Sequence, residues 1–257
     1  MNQQIFVTHH DRTVHGIYTQ PAGDGPFPAV LFSHGYNGCM TDYLAASEML
    51  AQKGIACVCY TFCGGSTRDT SGFPSTSMTL FTERDDLLAM LDWMRLQPAI
   101  DPKRITLFGS SMGGLVTVLA AHERPADMER IALQFPALCI ADNWRERFPC
   151  ISDIPEVVDF WNLPLGRHFF TSMRELDAMS LLPDISQPVL IIHGDQDPTV
   201  PLVYSEKAER IMPHAMLQVF YGEGHGFTPE GERQAMKLLS LFVISGEAKI
   251  EVSSEHT

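Results

Sequence analysis

Three segments of the 257-residue chain combine residue types that can do chemistry together. The first is Gly109-Ser110-Ser111-Met112-Gly113, a G-x-S-x-G pentapeptide. A serine becomes a nucleophile when a base takes its proton and a tight turn holds it clear of neighbouring backbone. Glycines at 109 and 113 leave room for such a turn. Ser111 is therefore the candidate nucleophile. The second segment is Gly222-Glu223-Gly224-His225-Gly226-Phe227. Its glycines allow a loop that carries an imidazole over one end of a sheet, which makes His225, among ten histidines, the candidate base. The third is His193-Gly194-Asp195-Gln196-Asp197-Pro198-Thr199-Val200-Pro201. A neutral imidazole needs a carboxylate to fix its tautomer and to stabilise the imidazolium. Asp197, deeper in the loop and followed by proline, is preferred for that role. Asp195 is expected to bind loop backbone, as aspartates do in turns, and is held in reserve. His193 ends a strand and is read as structural.

An acyl-transfer site must also hold an oxyanion. The Met112 N–H, directly after Ser111 at a helix start, is one candidate donor. The loop Ser33-His34-Gly35-Tyr36-Asn37-Gly38 supplies the other, the Tyr36 N–H, because its glycines let backbone approach a ligand.

These residues need a frame. Short β-rich runs alternate with helical patterns along the chain, the pattern of a largely parallel sheet flanked by helices. Strands are expected at Ile5–Thr8 and Val14–Tyr18, as a hairpin, then at Ala29–Ser33, Ile55–Phe62, Ile105–Phe108, Ile131–Gln134, Pro188–His193 and Met216–Phe220. Helices are expected over Asp42–Gln52, Thr82–Arg95, Gly113–His122, Leu202–Ile211 and Pro229–Ser245. Cys63–Ser77 reads as a long loop, and the polar last dozen residues are expected to fray. Ile105–Phe108 feeds straight into the Ser111 turn, giving strand, turn and helix in order.

Residues 135–183 break the alternation. The segment is too long for one crossover helix, and its aromatics, Trp144, Phe148, Phe160, Trp161, Phe169 and Phe170, exclude a disordered linker. It is read as a helical cap inserted into a core made of 1–134 and 184–257. Trp144, Phe148, Phe160 and Trp161 are the candidate substrate-binding residues of that cap.

Composition narrows the partners. Acidic residues outnumber basic ones 31 to 18, for a net charge of -13, which excludes the basic face of a nucleic-acid binder and disfavours anionic membrane surfaces. No apolar stretch is long enough to cross a bilayer, and Met1–Gln20 lacks the pattern of a signal peptide. The six cysteines form no C-x-x-C pair and are read as reduced core thiols, pointing to the cytoplasm. No metal or cofactor is expected: Gly64-Gly65-Ser66 lacks the lysine of a phosphate loop, and no dinucleotide fingerprint occurs. A homodimer is left open.

The order Ser111, Asp197, His225 is that of the α/β-hydrolases. With His34-Gly35, GSSMG, HGDQDPTVP and GHGF in order, the chain resembles a serine α/β-hydrolase from Ile5 to about Ser245. Within that superfamily it is similar to small bacterial carboxylesterases of the cinnamoyl and feruloyl esterase type. The resemblance implies an eight-stranded, mostly parallel sheet, a cap after the sixth strand and an acyl-enzyme mechanism. The expected activity is hydrolysis of small or aryl carboxylic esters. Thioester hydrolysis or acyl transfer by the same triad is the alternative. Peptide cleavage ranks lower, because related oligopeptidases carry a further domain that this length does not hold. A non-catalytic binding protein on the same fold is expected to lack the Ser or the His, and both are present.

Overall fold

The computed structural model describes residues 2–246; the expected frayed tail lies almost wholly outside them. Eight strands pair into one sheet. They are β1 (Asn2–His9), β2 (Arg12–Thr19), β3 (Phe27–Ser33), β4 (Ala56–Thr61), β5 (Ile100–Ser110), β6 (Arg130–Gln134), β9 (Val189–Gly194) and β10 (Ala215–Phe220). Their spatial order is β1-β2-β4-β3-β5-β6-β9-β10. The β1–β2 hairpin and the β2–β4 pair are antiparallel, and all pairs from β4 to β10 are parallel. This is the α/β-hydrolase architecture that the resemblance implied.

Alternation along each strand builds two cores. Ala29, Leu31, Val58, Ile105, Leu107, Ile131, Leu133 and Ile191 face one side, where α2 (Leu80–Arg95), α3 (Met112–Glu123) and α7 (Leu202–Ile211) pack. Val30, Phe32, Cys57, Cys59, Phe108, Ala132, Leu190 and Ile192 face the other, under α1 (Leu44–Ala51) and α8 (Pro229–Ser245). Burial on both faces explains why β4 and β9 read as unbroken apolar runs rather than alternating ones. Cys57 and Cys59 are buried in β4, whereas Cys150 is exposed, so it departs from the core reading.

Helix ends follow local chemistry. Thr79 and Thr82 form a reciprocal capping box that starts α2. Thr228 caps α8, Pro229 occupies its first turn, and Gly246 closes it in the left-handed conformation. The strand β5 begins five residues earlier than its apolar run suggests. Ile100 pairs with Phe27, and a register shift between Phe27 and Ala29 absorbs the polar residues between.

The inserted segment between β6 and β9 contains α4 (Ile140–Arg147), α5 (Arg167–Ser172) and α6 (Ala178–Leu181). It also contains an antiparallel ribbon, β7 (Val157–Phe160) with β8 (Leu163–Gly166), that the helical expectation did not include. Four-residue strands are too short for period-2 alternation to stand out. Trp161 and Asn162 turn the ribbon with φ of +48° and +62°. A two-residue turn with both φ positive matches strand twist, but tryptophan rarely adopts it. The ribbon rests on the end of the 63–77 loop. Gly166 lies against Thr76 backbone, and Ser75 Oγ donates to the Pro164 carbonyl at 2.7 Å.

Candidate active site

The Ser111 turn is built by strain. Ser111 has φ +51° and ψ −121°, a backbone state that L-residues avoid and that persists only when its surroundings enforce it. The enforcement is visible. A Cβ on Gly113 would lie 2.6 Å from the Ser33 carbonyl oxygen and closer still to that of His34. A Cβ on Gly109 would lie 2.7 Å from the Gly113 carbonyl carbon. Close approach of strand and helix therefore requires glycine at both ends of the motif. The Ser111 N–H donates to the Gln134 carbonyl at 3.0 Å, which ties the turn to β6.

His225 and Asp197 reach Ser111 from the two loops that follow β10 and β9. His225 Nε2 is 3.0 Å from Ser111 Oγ. His225 Nδ1 is 2.8 Å from Asp197 Oδ2. A carboxylate only accepts, so Nδ1 carries the proton and Nε2 is left to accept from the Ser111 hydroxyl. The Asp197 side chain is fully buried. Its Oδ1 accepts from the Thr199 and Val200 N–H groups at 2.8 and 2.9 Å. Three residues separated by 114 and 28 positions thus form one hydrogen-bonded line.

The neighbours hold this line in place. His193 donates from Nε2 to the Val200 carbonyl at 3.0 Å and accepts the Ser205 hydroxyl at Nδ1. Burial holds its imidazole below the usual range, so it stands neutral 3.3 Å from Asp197 Oδ2. Its role is structural, as expected. Asp195 accepts from the Gly222 N–H at 2.6 Å, which holds its carboxyl low and makes it a loop brace. Phe135 packs on the His225 ring with centroids 4.6 Å apart. Nothing in the sequence singled out Phe135, because its partner is distant in the chain.

The loop after β3 closes the other side of Ser111. A Cβ on Gly35 would meet Ser111 Cβ at 3.1 Å, so Tyr36 stands next to the nucleophile. Met112 is the first residue of α3, and the helix itself provides no acceptor for its N–H. Tyr36 also reaches outward. Its hydroxyl lies 2.7 Å from the Phe160 carbonyl and 3.2 Å from that of Leu163, and Asn37 Nδ2 donates to the Trp161 carbonyl at 3.4 Å. The oxyanion-side loop and the ribbon turn are therefore fastened together.

His34 anchors that loop from below. It donates from Nδ1 to the Gly35 carbonyl at 2.7 Å and accepts the Phe62 N–H at Nε2 at 3.0 Å. Burial pushes its imidazole down to about 4. In the unfolded chain the group binds a proton near the usual histidine value, so between that value and about 4 the unfolded state binds more protons. Stability is fully present above the ordinary histidine range and falls as pH drops through that window, by about 3 kcal/mol at most. Thermal unfolding from about pH 7 to about pH 4.5 is expected to show a steeper loss for the native chain than for His34→Gln. Parallel curves would remove this role from His34.

A cavity of about 190 Å³ opens beside Ser111, Tyr36 and Met112. Trp144, Phe160 and Trp161, from the insertion, line it. Phe148 sits one layer back, with its ring stacked parallel to that of Trp144 at 5.9 Å. Searching for aromatics alone missed Ile140, Asn143 and Arg147, which join Trp144 on the cavity. The spacing i, i+3, i+4, i+7 on α4 was the available signal. Among the described residues, no cluster of three His, Cys, Asp or Glu side chains could hold a metal, and no helix is long and apolar enough to cross a membrane.

Known proteins share the fold and parts of the sequence. Esterase FrsA of Escherichia fergusonii is 28% identical over 172 residues, which is 65% of this chain and 39% of the relative. The chain thus spans about two fifths of the length of the curated relatives it matches. In fold it is similar to Est1E from Butyrivibrio proteoclasticus, solved with ferulic acid. That match has a TM-score of 0.83 and 22% identity over 93% of this chain and 99% of that one. The α/β hydrolase GrgF from Penicillium sp. sh18 matches with a TM-score of 0.79 and 17% identity, over 94% of this chain and 98% of its own. The sequence pattern of the prolyl oligopeptidase family covers residues 42–243, a span that includes Ser111, Asp197 and His225. The chain is a serine-type α/β-hydrolase and belongs to the prolyl oligopeptidase family.

Proposed function

We propose that this chain hydrolyses carboxylic esters of small or aryl substrates through an acyl-enzyme intermediate. The observation that carries the reading is the hydrogen-bonded line Ser111–His225–Asp197 opening onto a small, mostly apolar cavity. His225 Nε2 takes the Ser111 proton as Oγ attacks the ester carbonyl. The Met112 and Tyr36 N–H groups receive the oxyanion, and α3 points its positive end at the same place. The imidazolium, stabilised by Asp197, then protonates the leaving alcohol. Water then attacks the acyl carbonyl and gives its proton to His225; the bond to Ser111 Oγ breaks, His225 returns the proton to Oγ, and the acid leaves. Residues 135–183 serve as the cap, with Trp144, Phe160 and Trp161 against the bound group and Phe148 supporting Trp144.

Several features support esters. The curated relatives are named as esterases, and the cavity is walled largely by apolar side chains. The family match keeps peptide cleavage as the second reading. A thioester would use the same groups. The net charge of -13 argues against a nucleic-acid partner, and buried free cysteines suit a cytoplasmic location.

A substrate panel tests the proposal: acetyl to palmitoyl p-nitrophenyl esters, methyl ferulate, an acyl-CoA, a lactone and a prolyl p-nitroanilide. Short acyl or aryl esters are expected to exceed palmitoyl in kcat/KM by about tenfold or more, since each CH₂ beyond the cavity gains no burial. Highest kcat/KM on the acyl-CoA, the anilide or the palmitoyl ester would replace the proposal with that class.

A further inference from the structure

The insertion carries four arginines, and three are engaged. Arg145 pairs with Asp142 and donates to the Arg174 and Leu176 carbonyls. Arg167 pairs with Glu156 and donates to the Ile151 carbonyl. Arg174 donates to the Phe148 and Pro149 carbonyls. Arg147 differs. Among the described residues it makes no hydrogen bond or ion pair, yet it lines the cavity that holds Ser111.

Arg147 is nonetheless held in position. Its guanidinium lies over the Trp144 ring at 5.3 Å and the Phe148 ring at 5.7 Å, and those two rings are parallel within 6°. Stacking uses the flat face of a guanidinium and leaves its edge N–H groups free. Those N–H groups form a rigid fork that matches a carboxylate. Helix α4 carries two acids: Asp142 pairs with Arg145 and accepts from the Tyr204 hydroxyl at 3.0 Å, and Glu146, next to Arg147 in the chain, makes no ion pair with it among the described residues. Asn143 lines the cavity one turn back and adds a neutral amide.

We propose that Arg147 is a specificity-determining residue that selects esters whose cavity-bound half ends in a carboxylate. The cavity takes the apolar body beside Ser111, and the Arg147 fork takes the anion at its far end. This rests on the ester-hydrolase reading above and names its substrate class. It also changes what the chain's charge implies. The overall excess of acids repels anions at long range, but that repulsion is screened by salt, whereas a local fork acts at contact.

Matched substrates test it. One pair places the charge on the acyl side, 4-nitrophenyl hydrogen adipate against 4-nitrophenyl hexanoate. The other places it on the alcohol side, 4-acetoxybenzoate against phenyl acetate. The ratio of kcat/KM, charged over neutral and corrected for the uncatalysed rates, is the readout. In at least one pair the native chain is expected to prefer the charged ester by about tenfold, the lower end of a charge-assisted hydrogen bond, since Arg147 is exposed. Arg147→Met is expected to bring that ratio to about one, and Arg147→Lys to restore part of it. Ratios near one in both native pairs, or a preference that survives Arg147→Met, overturn the inference while leaving ester hydrolysis standing. Calorimetric binding of both pairs to Ser111→Ala reads the same preference without turnover. If no ester is hydrolysed, the ester reading fails, and the calorimetric ratio still decides whether Arg147 holds the anion.

Discussion

Replacing Ser111 by alanine is expected to lower kcat for a p-nitrophenyl ester by about 10⁴-fold or more. The other groups remain: His225 keeps its bond to Asp197, and the N–H groups of Tyr36 and Met112 keep their places. Without Oγ there is no atom to carry the acyl group, so only slow attack by water is left. The fold should tolerate the change. Alanine needs the same strained backbone at φ +51°, and the backbone bonds from Ser111 to Gln134, Gly114 and Ala137 survive. Thermal unfolding is expected to move by no more than about 1 kcal/mol, the usual value of one hydrogen bond. Steady-state kinetics with active-site titration measure the first effect, and calorimetry the second. Retention of a tenth of the native kcat would remove Ser111 from the nucleophile's place.

The second large effect is expected from Asp197→Asn. Two acceptor sites of the carboxylate are used differently. Oδ1 takes two backbone N–H groups, and Oδ2 takes His225. An asparagine must present its oxygen to the backbone pair, so its NH₂ faces His225 Nδ1. The imidazole then has to move its proton to Nε2, where it points at Ser111 and can no longer accept. A correctly placed ring in the wrong tautomer is expected to reduce kcat/KM by about 10⁴-fold with little change in stability. Asp195→Asn is the control, since its amide oxygen can still accept from Gly222. That variant should stay within about threefold of native, the spread of an ordinary loop substitution. A loss at 195 exceeding the loss at 197 would exchange their roles.

Much of the frame was legible because it is local. The central strands β3, β4 and β9 are mostly apolar runs, β5 and β6 have apolar cores, and α8 carries its own start at Thr228-Pro229 and stop at Gly246. The inserted ribbon was not legible. Its strands span four residues each and are held by Tyr36, Asn37 and Ser75, all far away in the chain. Likewise Arg147 and Phe148 are neighbours in the chain, and only the helical spacing from Ile140, which a search for aromatics passes over, separates their faces. Helix α4 ends between them, and the tertiary structure puts Arg147 on the cavity and Phe148 behind Trp144.

The sequence by itself determined which residues could serve as nucleophile, base and acid. Glycine is required on both sides of Ser111, and short loops after apolar strands bring His225 and Asp197 to one end of the sheet. Those are consequences of backbone sterics and strand order, which are written locally. Only the tertiary structure decided the distances of 3.0 and 2.8 Å that join the three residues in one hydrogen-bonded line, and which oxygen of Asp197 faces the ring. Among the described residues, it alone left Arg147, one of the four arginines in 135–183, on the cavity with Ser111 and without a hydrogen bond or ion pair. Such contacts depend on the summed packing of segments remote in the chain, and no local pattern encodes that sum.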